Sequence, residues 1–294
     1  REKIKADLGE FPFHGFWGPR AGIDSSKWIA ESAKWTEEKF SPNLSLVYLP
    51  HLDYDFQRFG PIDPKVFPAL SEIDGVVGDL ISFYGERGIR ILILSEYGIS
   101  PVNNVIYPNR IFRSEGWLSI KDELGLEYLD CGGSRAFAIT DHQIAHIYLN
   151  DQSDSFRNKV RSRLENIEGI ERVLDNEGKK EAGLNHSRAG DFVLFSKEHS
   201  WFAYYHWEDD QLAPDFARCV DVHRKYGYDP TELFVDPSLS FPFLKIARKL
   251  IGKKMGFRTS MDLFHLTQTW SREATGFVHK TTKTGRSLWD TGFN

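Results

Sequence analysis

Two stretches decide how this sequence folds: residues 44–61 read LSLVYLPHLDYDFQRFGP, and residues 89–100 read IRILILSEYGIS. Each begins with six mostly apolar residues and then turns to polar and ionisable ones. An apolar run of this length is typical of a strand covered on both faces, as in a parallel sheet. A helical pattern over residues 66–84 separates the two runs, with Gly88 where a left-handed helix cap is expected. The order strand, helix, strand predicts a doubly wound α/β fold.

The rest of the chain supplies further helices and strands. A first helix is expected to begin near Asp24 and run through Phe40. Past Pro101 we expect strands over residues 117–121, 136–149 and 171–174, a helix over 155–167, a hairpin from 191–196 and 201–205, and a basic helix over 243–254. No repeat or low-complexity linker interrupts the pattern. We therefore expect a single α/β domain over residues 1–294 that ends in a polar tail from about residue 280 to residue 294.

Composition narrows the class of protein. The chain has 294 residues, 40% of them hydrophobic, with a net charge of -5. This charge gives no basic field for nucleic acid or an anionic membrane, so neither is an expected partner. The two cysteines, Cys131 and Cys219, form neither a disulfide framework nor a CxxC metal motif. No apolar run reaches the length of a membrane span.

The first residues have no initiator Met and no apolar signal-peptide core. We expect a soluble or peripheral protein whose sequence is that of a processed or partial product.

Candidate chemistry follows each apolar run. His51, Asp53 and Gln57 come after the first run, and Glu96 and Tyr97 come after the second. The carboxyl ends of parallel strands meet at one edge of a sheet, where oxygen and nitrogen ligands can converge on a metal ion. The alternative is a solvated acidic loop followed by a polar turn. The residues alone leave both interpretations open.

Taken together, the two segments resemble the type I phosphodiesterase/nucleotide pyrophosphatase family of the alkaline phosphatase superfamily. The family pattern P-x-x-D-x-x-x-[H]-x-x-G-P, then S-[D]-[H]-G, corresponds here to Pro50, Asp53, Gln57, Gly60 and Pro61, then Ser95, Glu96, Tyr97 and Gly98. Flanking segments of the same resemblance are residues 16–19, 141–146, 188–191 and 213–218. The resemblance covers about residues 15–258. It implies an alkaline phosphatase-like, mostly parallel sheet with helices on both faces, incomplete at its N-terminal side.

The resemblance also implies two divalent metal ions, usually zinc, and a Thr or Ser nucleophile. By position, Asp53 and Gln57 correspond to ligands of one metal, and Glu96 and Tyr97 to ligands of the other. His279 is a candidate substitute for a further metal histidine, which the family carries in a G-x-H-G turn. The family's nucleophile comes from a segment upstream of the residues matched in this chain. We therefore identify no catalytic residue in it.

The departures from the family pattern bear on activity. A neutral amide is a poorer zinc ligand than an imidazole, and a phenol binds well only after losing a proton with a pKa near 10. The site should therefore bind zinc weakly or prefer a harder ion. We predict a degenerate domain, non-catalytic by itself and without a cofactor, which serves as a scaffold or as a subunit with protein partners.

The alternative is part of an active metal-dependent phosphodiesterase that hydrolyses phosphate or pyrophosphate esters. Its nucleophile would lie on an upstream segment.

Three other features have two interpretations each. His142 and His146 are four residues apart, a spacing that places them on the same face of a helix or a strand. They are either structural residues or a pair of metal ligands. The aromatic cluster of residues 201–207 could pack inside the protein or stack on a nucleobase. The basic helix over residues 243–254 is an amphipathic surface helix or a site for an anionic partner. In each case the sequence favours the structural interpretation.

Overall fold

The structure is a computed structural model that describes residues 2–16, 21–95, 97–217, 227–228, 239–256 and 275–278. Its α-helices are α1 Glu2–Leu8, α2 Ile23–Phe40, α3 His51–Phe59, α4 Phe67–Gly85, α5 Pro108–Ser114, α6 Asp154–Glu165, α7 Asn176–Glu181 and α8 Pro242–Lys254. Its strands are β1 Gly98–Pro101, β2 Asn104–Ile106, β3 Ser119–Glu123, β4 Leu126–Asp130, β5 Ala136–Asp141, β6 Ile144–Leu149, β7 Ile170–Leu174, β8 Phe192–Ser196, β9 Ser200–Phe202, β10 Gly227–Tyr228 and β11 Thr275–Val278. Two short 3-10 helices cover Phe13–Gly15 and Pro64–Val66.

The largest sheet of the described residues has five strands in the order β10-β5-β6-β8-β7. Within it, β10 and β5 run parallel, and the other neighbours are antiparallel. The predicted α/β class is confirmed, but these strands do not form the mostly parallel arrangement that we predicted. The reason is local. The single strand predicted over residues 136–149 turns back at His142, which has φ 52°, and so short a connection joins antiparallel strands.

One hydrophobic core lies between this sheet and helices α5 and α6. On α6, Phe156, Val160 and Leu164 recur every four residues, so they lie on one face of the helix and all three are buried. Burying each such side chain stabilises the fold by roughly 1.5–3 kcal/mol. The helical predictions for α2, α4, α6 and α8 are confirmed, because their apolar spacing matches the helical period.

The aromatic cluster of residues 201–207 lies inside a second core. Trp201, Tyr204, Tyr205 and Trp207 are all at most 2% exposed. The rings of Tyr205 and Trp207 stack with centroids 4.2 Å apart. Rings enclosed in this way contact one another and the core, so the packing interpretation is confirmed.

Residues 44–49 and 89–94 were predicted to be central strands, and this prediction was wrong for the described structure. Neither run belongs to a strand or pairs with a described strand. The reason is that a strand requires a neighbour to bind its backbone N–H and C=O groups. The apolar composition of these runs records a tendency to be buried, but the described residues supply no strand that pairs with them.

The predicted hairpin of residues 191–196 and 201–205 was also wrong. Its two halves are β8 and β9, but β8 pairs with β6 and β7, while β9 pairs in parallel with β2. The polar turn does form, because the amide of Ser200 donates to the carbonyl of Lys197 at 2.9 Å. Local sequence therefore predicted the turn, and distant segments decided the pairing.

Two further expectations concern the chain as a whole. The single-domain organisation stays a prediction, and the polar tail of residues 280–294 lies outside the described residues. Among the described helices, none is both long enough and apolar enough to cross a membrane.

Candidate functional site

Asp53 and Gln57 lie on α3, whereas both interpretations of the sequence placed them directly after the end of a strand. Residues four apart on a helix share a face, so the carboxylate and the amide lie one turn apart on the same side of α3. Asp53 is half-buried, and Gln57 is buried at 5% exposure. Asp53 also occupies the first turn of α3, where the helix dipole favours a negative charge.

Contacts with α4 hold the start of α3. The side chain of His51 is buried, and its Nε2 lies 3.0 Å from Oε2 of Glu72 on α4. Sequence reasoning missed Glu72, since 21 residues separate the pair and no local motif links them. A carboxylate at this distance orients the imidazole ring and selects its tautomer. The pair therefore fixes the position of α3 two residues before Asp53.

A buried phenol lies on α3 between the two candidate ligands. Burial raises the pKa of Tyr54 to about 12, even though Arg58 acts in the opposite direction. The Arg58 guanidinium lies 4.8 Å from the centre of the Tyr54 ring, within the range of a cation–π contact. In the absence of a bound cation, Tyr54 therefore stays protonated near neutral pH.

The second candidate segment leads into β1. Tyr97 is half-buried, and its carbonyl accepts a hydrogen bond from the Ser95 hydroxyl at 2.7 Å. Glu96 lies outside the described residues, so its predicted role stays a prediction. His279 also lies outside them, although β11 ends at the residue before it.

The elements that carry or flank the predicted ligands nevertheless lie together. Strands β1 and β11 pair antiparallel, with Gly98 opposite Val278. Helix α3 lies against β11. The helix with Asp53 and Gln57, the strand after Tyr97 and the strand before His279 are therefore neighbours, as a shared site requires.

The donor set decides which metal these residues could hold. The described candidates are one carboxylate, one neutral amide and one phenol, from Asp53, Gln57 and Tyr97. Zinc in proteins favours imidazole, thiolate and carboxylate ligands, so these three donors do not fit a zinc centre. No group of three His, Cys, Asp or Glu side chains suited to a metal occurs in the part of the chain that the structure describes.

Other histidines have structural roles in the described residues. Nδ1 of His146 accepts a hydrogen bond from the amide of Gly190 at 3.1 Å, and burial lowers the pKa of its ring. His142 forms the turn between β5 and β6, while His146 lies on β6. His206 is fully buried, with Nε2 3.0 Å from the carbonyl of Glu127. The structural interpretation of His142 and His146 therefore fits these positions.

The sequence model of a family described as type I phosphodiesterase / nucleotide pyrophosphatase matches residues 5–229 of this chain. A curated protein of the fission yeast Schizosaccharomyces pombe, described as an uncharacterized pyrophosphatase/phosphodiesterase, is 35% identical over 81 residues. That alignment covers 26% of this chain and 17% of the yeast protein.

Two solved structures also resemble the chain. Phosphonoacetate hydrolase from Sinorhizobium meliloti, in complex with phosphonoformate, is 20% identical with a TM-score of 0.49, over 71% of this chain and 48% of the hydrolase. Murine ectonucleotide pyrophosphatase / phosphodiesterase 5 is 17% identical with a TM-score of 0.44, over 62% of this chain and 45% of the murine protein. The chain thus spans about half the length of these solved structures and a smaller part of the yeast protein.

Proposed function

Because this chain belongs to the type I phosphodiesterase/nucleotide pyrophosphatase family, we propose that it is a degenerate member, non-catalytic by itself, that serves as a scaffold or subunit of a larger assembly. The observation that supports this proposal is the pair of side chains on α3. Where the family carries an aspartate and a histidine, this chain carries Asp53 and the buried amide of Gln57.

The chemistry of the site follows from that pair. The family is typically metal-dependent, and the metal serves to neutralise phosphoryl oxygens and to activate the attacking group. An amide has no charge and binds zinc more weakly than an imidazole does. At Tyr97, a phenol would have to lose its proton before it could replace a histidine. Both changes weaken metal binding, so they act in the same direction.

A hydrolysis assay tests the proposal. The purified chain, with added zinc or manganese, should hydrolyse bis(p-nitrophenyl) phosphate no faster than an Asp53→Ala variant prepared in the same way. Turnover by the unmodified chain that Asp53→Ala abolishes would contradict the proposal, because it would show that this chain contains a working site. A Gln211→Ala variant, altered at an exposed glutamine, controls for preparation artefacts.

A second candidate function is part of an active metal-dependent phosphodiesterase for phosphate or pyrophosphate esters, with the nucleophile supplied by another segment. The proximity of α3, β1 and β11 supports it, because these described elements carry or flank the predicted ligand positions. The same assay separates the two functions. Hydrolysis that requires a second polypeptide with the family's Thr or Ser nucleophile, and is lost in Asp53→Ala, supports the shared enzyme. Absence of hydrolysis in that mixture supports the scaffold.

A further inference from the structure

Gln143 lies in the turn between β5 and β6, directly before the start of β6, and its side chain is buried at 7% exposure. Its Nε2 donates hydrogen bonds to the carbonyls of Glu198 and Ser200, both at 2.9 Å. The carbonyl of Lys197 lies 3.3 Å from the same nitrogen. One side-chain amide therefore binds the backbone of the β8–β9 turn, which consists of residues 197–199.

Hydrogen bonds, more than packing, fix the course of the β8–β9 turn, because the residues of this turn are exposed. Glu198 and Ser200 flank His199, so an amide that binds both carbonyls fixes the backbone of the residue between them. An apolar side chain in place of Gln143 would fill the same space but would donate no hydrogen bond to these carbonyls. The donor group of Gln143 therefore contributes directly to the order of the turn.

The β8–β9 turn in its turn holds the end of β1. The carbonyl of His199 accepts hydrogen bonds from the amides of Asn103 and Asn104 at 3.0 and 3.1 Å. Nδ1 of His199 lies 3.1 Å from the carbonyl of Pro101, the last residue of β1. Because a carbonyl can only accept, Nδ1 carries the proton and donates in this contact. His199 thus attaches the end of β1 and the residues after it to the turn that Gln143 holds.

Strand β1 connects this chain of contacts to the candidate site. Tyr97 directly precedes β1, so its backbone moves with the strand. Strand β1 also pairs with β11, and α3, which carries Asp53 and Gln57, lies against β11. A displacement of β1 would therefore reach Tyr97 directly, and it would reach α3 only through β11.

We infer that Gln143 is a positioning residue for the half of the candidate site that contains Tyr97. Its amide holds the β8–β9 turn, and the turn holds β1. Residues 141–146, one of the segments that resemble the family, therefore have a role at the site although they lie in a different sheet from β1. The inference goes beyond the proposed function, because it concerns the order of this segment in a scaffold and in a shared enzyme alike.

Hydrogen–deuterium exchange on the full chain tests the inference. Gln143→Met keeps the length of the side chain and removes its donor. The amides of residues 98–104 should then exchange roughly tenfold faster, the effect of losing about one hydrogen bond that opposes local opening. The amides of β6 should change little. Gln152→Met is the matched control, because Nε2 of Gln152 donates to the carbonyl of Leu149 at the opposite end of β6. It should leave exchange of residues 98–104 unchanged.

A fluorinated tyrosine at position 97 supplies a readout that a purely stabilising role of Gln143 would not move. Its fluorine NMR signal in the folded chain should shift or broaden in Gln143→Met and stay unchanged in Gln152→Met. Three results would overturn the inference: unchanged exchange of residues 98–104, equal acceleration in β6, or an unchanged fluorine signal.

A second variant covers the case in which Gln143→Met does not fold. His199→Ala, at an exposed position, removes the contact of the β8–β9 turn with the carbonyl of Pro101. The amides of residues 98–100 should exchange faster in this variant, and an unchanged rate there would also overturn the inference. Exchange and fluorine NMR report the order of the segment and not hydrolysis, so these results are separate from the outcome of the activity assay.

Discussion

Gly190 shows how a single residue can constrain the central sheet. A Cβ atom at this position would lie 2.6 Å from the carbonyl oxygen and 2.7 Å from the amide nitrogen of Ile147. The carbonyl of Gly190 also accepts a hydrogen bond from Nζ of the buried Lys179 at 2.6 Å. Gly190 belongs to residues 188–191, one of the segments that resembles the family. In this chain, the described contacts give that segment a packing role.

Gly190→Ala should therefore lower the free energy of unfolding by about 2–3 kcal/mol, because backbone atoms of β6 cannot move aside cheaply. Urea denaturation measures the change. Gly78→Ala is the matched control, since nothing lies within 4 Å of a Cβ there and the glycine is inside α4. That substitution should leave stability unchanged or raise it by up to about 1 kcal/mol. Equal losses in the two variants would show that Gly190 is not tightly packed.

Gln57→His tests the metal chemistry of the candidate site. Replacing the amide by an imidazole beside Asp53 should raise zinc affinity roughly tenfold or more, given that even loss of an outer partner changes metal affinity about 10- to 100-fold. Isothermal titration with zinc, without any substrate, measures this directly. Gln211→His places an imidazole at an exposed position and controls for histidine on the surface. Equal zinc affinities in the two variants would show that residue 57 does not lie at a metal-binding position.

At the scale of elements, Asn109 joins α5 to two distant segments. Its Nδ2 donates to the carbonyls of Ala138 and Tyr204 at 3.0 and 3.2 Å, and its Oδ1 accepts from the amide of Ala138 at 2.7 Å. Asn109 is fully buried. The amide therefore connects α5, β5 and the aromatic cluster, and it satisfies backbone groups that would otherwise be unpaired.

Asn109→Ala should cost about 3 kcal/mol, because it removes three hydrogen bonds and leaves buried backbone groups without partners. Thermal or urea unfolding followed by tryptophan fluorescence would report it, since the aromatic cluster is directly involved. Asn166→Ala is the control. Asn166 follows the last residue of α6, and its exposed side chain donates one hydrogen bond to the carbonyl of Ser162. A cost below about 1 kcal/mol for Asn109→Ala would mean that water or rearranged backbone replaces the amide.

Helix α3 provides a second prediction at this scale. Asp53→Ala removes a half-buried carboxylate from the first turn, where its interaction with the helix dipole contributes about 0.3–1 kcal/mol. The melting temperature should therefore fall only slightly. A loss above about 2 kcal/mol would instead indicate that Asp53 belongs to an occupied site or a buried network.

For the whole molecule, acid should reduce stability in two stages. Burial lowers the pKa of His206 to about 4, from an ordinary value of 6.5. Between these pH values the unfolded chain binds a proton that the folded chain does not, so the free energy of unfolding falls as the pH falls, by about 3 kcal/mol from this group. The lowered pKa of His146 acts with the same sign.

Below pH 4 a different group contributes to the fall in the free energy of unfolding. Hydrogen bonds from Ser153 and Arg135 lower the pKa of Asp151 to about 2, so protonation of this carboxylate removes stability only at lower pH. Urea unfolding at a series of pH values should show both ranges. His206→Gln should flatten the slope between pH 6.5 and 4 and leave the slope below pH 4 unchanged. An unchanged slope in the upper range would show that His206 is not the group responsible.

The sequence by itself determined helices α2, α4, α6 and α8, the apolar character of residues 44–49 and 89–94, and the family. These follow from local spacing and from short motifs, so neighbouring residues carry the information. The same motifs selected Asp53, Gln57 and Tyr97 and showed that two of them depart from the family pattern. Only the structure showed that Asp53 and Gln57 lie on α3 and that Tyr97 lies before β1. The local sequence of residues 51–59 is compatible with either a loop or a helix.

Only the tertiary structure decided how strands pair, which aromatic rings are enclosed, and that His51 contacts Glu72. Each of these depends on residues far apart in the chain, and an apolar residue specifies burial without specifying its partner. Residues 44–49 and 89–94 are the plainest case. Their composition predicts a covered strand, but hydrogen bonding requires a second backbone, and the described residues supply no paired strand. A strand forms only when a second segment binds its backbone N–H and C=O groups. The sequence of one segment can therefore predict that it needs a neighbouring strand, but not which segment provides it.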